Sequence, residues 1–201
     1  MPEITPNFIA NSVIALLGVL LLLATKSDLK TRRIPNILVF MGAGLGLLLN
    51  SILPEGYGFM SALPGALGFW NALAGLGIGL ALLLPLYMLR AMGAGDVKLM
   101  AMVGAFIGAN AIINTVLLTF IAGGLLALLI ALQKNVFPQM IANLREMAVG
   151  AYVKVLLHEM PTIDSPKQTA AKMPYALAIA AGTIAYMLLA QRGHMPLIHV
   201  M

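Results

Sequence analysis

The stretch LMAMVGAFIGANAIINTVLLTFIAGGLLALLIAL, from Leu99 to Leu132, contains no charged residue. A helix needs about 20 apolar residues to cross a bilayer. The stretch is too long for one crossing and fits two helices that turn near Gly108-Ala109-Asn110. Lipid offers no partner to backbone N–H and C=O groups, so a continuous apolar run of this kind must satisfy them within a helix. A membrane β-barrel would instead show short alternating segments. The expected fold is all-α.

Outward from this run the same pattern recurs. Apolar spans are expected at about 8–25, 37–53, 66–89, 97–109, 112–132 and 174–190, six in all, in a single membrane-embedded domain covering 1–201. Trp70 and Tyr87 flank the third span, as interfacial aromatic anchors do. Composition agrees. The chain is 61% hydrophobic and 9% charged, with a mean hydropathy of +0.96, whereas a soluble domain carries about 25% charged residues. The result is a polytopic integral membrane protein. The N-terminal MPEITPN lacks a basic region ahead of the first apolar run, so that run reads as a retained span and not a cleaved signal.

Residues 133–173 form the one long polar connection. Within it Phe137, Met140, Ile141, Leu144, Met147, Ala148, Ala151 and Val155 recur at three- and four-residue steps, opposite Gln139, Asn143, Glu146 and Lys154. That spacing predicts an amphipathic helix before the last span. It lies on the inner membrane surface or packs over the loop ends. PTIDSPKQTAAK, which follows, reads as a linker.

The net charge of +5 would suit nucleic acid, but the basic residues cluster between apolar spans, so no nucleic-acid partner is expected. If the loop after the first span is cytoplasmic, Lys26, Lys30, Arg32, Arg33, Arg90, Lys98, Lys134, Arg145, Lys154, Lys167 and Lys172 fall inside and only Arg192 falls outside. Such a bias sets orientation, and it puts both termini outside. The chain has no cysteine, and its three histidines lack ligand spacing, so neither a disulfide nor a metal site is expected. Gly42 with Gly46, and Gly75 with Gly79, are spaced to let helices approach closely.

Against this apolar background two acids stand out among seven. Asp28, in TKSDLKTRRIPN, follows the first span, and Asp96, in MGAGDVKLM, follows the third. The charge bias puts both at the cytoplasmic face without using either acid. Gly93 and Gly95 lack side chains that would shield the backbone, so an extended substrate could reach Asp96. Pro35 pushes Ile34 toward an extended form and starts the second span. Two carboxylates at one interface are the minimal set for acid–base hydrolysis of a peptide bond.

The combination resembles the type IV prepilin peptidases, membrane aspartyl proteases of the GxGD class. Their first motif, an aspartate followed by Ile-Pro-Asn, is matched by Asp28 with Ile34-Pro35-Asn36. Their second, Gly-x-Gly-Asp-x-Lys-Leu, is matched by Gly93, Gly95, Asp96, Lys98 and Leu99. Met173-Pro174-Tyr175-Ala176, with the Ala178–Gly182 run, is similar to the Pro-Tyr-led last helix of the family. The resemblance implies Asp28 and Asp96 as catalytic acids, with Gly93 and Gly95 at the substrate and Lys98, Ile34, Pro35, Asn36, Pro174 and Tyr175 in support. Lys98 would tune the acids or anchor its helix at the headgroups.

No cofactor or metal is implied. The implied substrates are prepilins or pseudopilins, cleaved at a leader on the cytoplasmic side of a bacterial inner membrane, in company with a pilus or type II/Tad secretion machine. Longer members carry a methyltransferase domain, often with paired cysteines. This chain has only a short loop at that place, and it is similar to the short, peptidase-only form of Flp/Tad systems.

The two acids would flank a water. Unit charges about 4 Å apart repel by roughly 4 kcal/mol at an effective dielectric of 20, so the pair would hold one proton between them. Other classes remain open on sequence alone: an ion- or proton-coupled transporter using both acids as ligands, a subunit of a secretion machine without activity, or another GxGD protease of presenilin-like or archaeal preflagellin type. Transporter acids usually lie near the bilayer midplane on broken helices, whereas these lie at span ends.

Overall fold

The computed structural model describes residues 6–53, 67–134 and 175–191, with further isolated positions between 138 and 150. Five helices follow in chain order: α1 (Pro6–Thr31), α2 (Asn36–Ile52), α3 (Phe69–Met88), α4 (Ala94–Gln133) and α5 (Tyr175–Gln191). The described residues include no strand. Three stretches among them, Asn11–Thr31, Phe69–Met88 and Ala94–Gln133, are long and apolar enough to cross a membrane, and Asn36–Ile52 and Tyr175–Ala190 are shorter apolar helices.

The first helix outruns its expected end near Thr25. Nothing from Lys26 to Thr31 breaks a helix, and the run stops only where Arg32 turns left-handed at φ 55, three residues before Pro35. Asp28 therefore stands on the last turn of α1 and not in a loop.

The uncharged run folds as one helix with a break. Gly108 has φ 80 and ψ 178, a conformation open essentially to glycine alone, and it divides α4 into two arms. Gly79 faces both the Met100 carbonyl of the first arm and the Ile112 side chain of the second, so the arms fold back beside the same stretch of α3. Such a break exposes backbone groups that a continuous helix would pair. Two asparagines take them up. Asn50 Nδ2 donates to the carbonyls of Ala105 (3.0 Å) and Phe106 (3.2 Å), and its Oδ1 accepts the Leu67 N–H. Asn71 Oδ1 accepts the Ala109 N–H at 3.0 Å.

The first arm of α4 is the centre of the bundle. From Asp96 to Gly108 every residue except Lys98 is buried. The glycine pairs do bring helices together. Gly42 lies against Met102, Gly46 against Phe106 and Ala105, and Gly75 against Gly104 and Gly108. On the far side Gly182 of α5 packs on Thr119 of the second arm. Large apolar side chains such as Leu22, Ile37, Trp70, Met88 and Leu125 point outward, as they do where lipid is the solvent.

The bundle has two distinct ends. One carries the break at Gly108 with Asn50, Leu67 and Asn71 around it. At the other, α1 ends and α2, α4 and α5 begin. The described positions between 138 and 150 are helical, and most of the apolar stripe expected there lies outside the described residues.

Candidate active site

Asp28 closes α1 and Asp96 opens α4, two helix ends that share one end of the bundle. Each is only 8% exposed, and their charges lie close enough to act on one another. Two whole helices, α2 and α3, separate them in the sequence, and the fold brings them together.

Asp96 is placed by the start of its own helix. Gly93 is the N-cap, with extended backbone at φ −79 and ψ 149, and its carbonyl accepts the Asp96 N–H at 3.1 Å. The Asp96 carboxylate folds back onto the Gly93 backbone, the acidic half of a capping box. A Cβ at Gly93 would sit 3.1 Å from Asp96 Oδ2, so glycine leaves the room that this return requires.

Asp28 is placed by α5. Its Oδ2 accepts the Ala176 N–H at 3.3 Å, which gives a partner to one of the N–H groups left unpaired at a helix start. One turn earlier on α1, Thr25 Oγ1 donates to the Ala176 carbonyl at 3.4 Å. Tyr175, the first residue of α5, lies near enough to Asp96 for the two to interact electrostatically. The start of α5 thus touches one acid and borders the other. Pro174 lies outside the described residues.

The remaining motif residues join the two acid-bearing segments. Ile34 packs on Gly95, where a Cβ would stand 3.3 Å from the Ile34 Cβ. Pro35 holds an extended entry to α2 at φ −61 and ψ 128. Lys98 Nζ donates to Asn36 Oδ1 at 3.0 Å and lies 5.4 Å from the centre of the Phe40 ring. Lys98 thus binds the first turn of α2 rather than an acid. Behind this contact, Ser27 Oγ donates to the Arg33 carbonyl at 2.8 Å and holds the α1–α2 turn against α1, while the single proton of Thr31 Oγ1 lies between the Ser27 carbonyl (2.9 Å) and the Arg33 carbonyl (3.2 Å).

Sequence reasoning singles out the acids and their motifs but gives no part to Thr25 or to the Ala176 backbone, which the structure places against Asp28 and its helix. Thr25 shares the helical face of Asp28 at a three-residue step, which is a usable signal. A backbone N–H leaves no mark in a residue pattern. Among the described residues no group of three or more His, Cys, Asp or Glu side chains could hold a metal ion.

The model of the type IV leader peptidase family matches residues 15–128, more than half of the chain. The match takes in both acids, Ile34-Pro35-Asn36 and Lys98, and ends before α5. No curated protein and no solved structure matches the chain.

Proposed function

The chain belongs to the type IV leader peptidase family, and from that premise we propose that it is a membrane aspartic endopeptidase with Asp28 and Asp96 as its catalytic pair. Its substrates are Flp-like prepilins or pseudopilins, cut at the cytoplasmic face of a bacterial inner membrane crossed six times, with both termini outside. The observation that carries this reading is the meeting of two buried aspartates from separate helix ends.

With one proton shared between them, the ionised carboxylate takes a proton from a water held between the pair. The resulting hydroxide attacks the scissile carbonyl, which the protonated partner polarises. Collapse of the tetrahedral intermediate breaks the C–N bond, and the departing amine takes up the proton that the first carboxylate took from water, so the pair again holds one proton. No metal or cofactor enters this scheme. Gly95 is covered by Ile34, whereas Gly93 is exposed, so the substrate strand lies along Gly93. The apolar helix of the substrate stays in lipid while its leader junction reaches the interface. Pilus or Tad-type secretion machinery receives the product.

The test is prepilin processing in membranes that contain Asp28→Asn or Asp96→Asn. Each variant, expressed to normal levels, should leave the precursor uncut. Near-normal cleavage by either one rules out the mechanism.

A further inference from the structure

Two buried carboxyls can share one proton only if they are held at a set separation, and loss of that proton would drive them apart, so something other than the acids must hold them together. The structure offers a continuous connection that bypasses both. It runs from α1 through Ser27 to the Arg33 carbonyl, across the turn to Ile34 on Gly95, and through Asn36 to Lys98 on α4. We infer that Lys98 and Asn36 are positioning residues, whose bond clamps the start of α4 to the α1–α2 turn and holds the acid pair at its working separation.

Three features favour this role over a headgroup anchor or a substrate contact. Lys98 is half-buried as a residue, and one donor of its ammonium is committed to Asn36. The Phe40 ring, one turn further along α2, gives the same cation a second partner on the same helix. The apolar contact of Ile34 with Gly95 lies beside this bond and joins the same two segments. A lysine that served only to reach lipid phosphates would gain nothing from binding the first residue of a neighbouring helix.

The inference rests on the proposed catalytic pair. A misplacement of about 1 Å in a catalytic group can lower rate by on the order of 100-fold. The clamp touches no substrate, so its loss should lower kcat and leave KM nearly unchanged. The experiment measures both constants on a synthetic prepilin in nanodiscs for Asn36→Leu, Lys98→Met, their double variant and Asn36→Asp. Asn36→Leu removes the acceptor without changing charge, and Asn36→Asp keeps an acceptor for Lys98.

The expected result is a fall in kcat of roughly 10- to 100-fold for each of the first two. The double variant should be no slower than the worse single, and Asn36→Asp should stay within about threefold of the parent. Melting temperatures of the same samples separate misplacement from unfolding. Multiplying losses in the double variant, a change confined to KM, a loss of kcat that merely follows melting temperature, or full activity in Asn36→Leu would each overturn the clamp. If Asp28→Asn and Asp96→Asn are inactive while Asn36→Leu is unaffected, only the clamp fails; if the acid variants cleave, the catalytic reading fails first.

Discussion

Gly75 of α3 and Gly104 of α4 meet backbone to backbone, each in the space where the other would carry a methyl group. Helices in lipid gain little from hiding apolar surface and depend on close packing, so small residues at a crossing carry much of the association. This contact seats α3 on the central arm whose first turn holds Asp96.

Gly75→Ala or Gly104→Ala should therefore destabilise the protein by about 2 kcal/mol or more, because backbone must shift to admit the methyl. Gly77 lies two residues along the same helix, and a methyl group added there would meet nothing within 4 Å. Gly77→Ala should be neutral or stabilising by up to about 1 kcal/mol through helix propensity. Thermal unfolding in detergent distinguishes the two cases. Equal effects at 75 and 77 would remove the crossing from the account.

The opposite end of the bundle depends on the repair of the Gly108 break. Asn50→Ala would leave the Ala105 and Phe106 carbonyls and the Leu67 N–H without their side-chain partner. Asn71→Ala would do the same to the Ala109 N–H. A buried group left unpaired costs about 1–3 kcal/mol; the two carbonyls served by Asn50 are buried whereas the Ala109 N–H is half-buried, so Asn50→Ala should be the more damaging of the two. Hydrogen exchange at residues 105–109 should rise in both variants. Unchanged protection there would mean that the break does not need the asparagines.

Which parts of this arrangement were legible in the sequence follows from what residue type can carry. An acid in an apolar chain is conspicuous, so Asp28 and Asp96 stood out. An uncharged run longer than one crossing announced a turn, and Gly108 supplies it. Asn50 and Asn71 resemble any polar residue near a span end until the break they serve is visible. The direction of Lys98 was equally hidden, because a lysine beside an acid suggests a partner along the chain, whereas its acceptor is Asn36 on another helix. The extension of α1 to Thr31 was missed because polar residues mark the end of a span but not the end of a helix.

Arg32 and Arg90 both have left-handed backbone, at φ 55 and φ 59. Arg90 closes α3 in a Schellman arrangement, with Ala91 N–H on the Leu86 carbonyl and Arg90 N–H on the Tyr87 carbonyl, both at 2.9 Å. A side chain in this conformation costs about 1–2 kcal/mol, which glycine avoids. Arg90→Gly should raise the melting temperature, whereas Arg90→Ala, which loses the same charge but keeps a Cβ, should not. A rise of similar size in both would point to charge and not to backbone conformation.

If the proposed pair works with one proton between its two acids, the dependence on pH follows with no assignment of acid and base. At low pH both carboxyls are protonated and neither can take a proton from water. As pH rises, one proton leaves and the pair becomes competent. With further rise the second proton leaves, and two carboxylates face the scissile carbonyl with no acid to polarise it. The pH profile of kcat/KM on a synthetic prepilin in nanodiscs should therefore be bell-shaped, with both limbs belonging to the pair and not to either residue. Tyr175 borders Asp96, and Tyr175→Phe tests whether its phenol supplies the alkaline limb; a bell that persists in this variant leaves the acids as its source. A profile that rises once and stays flat to high pH would show that no protonated carboxyl is needed, and a single-base mechanism would replace the dyad.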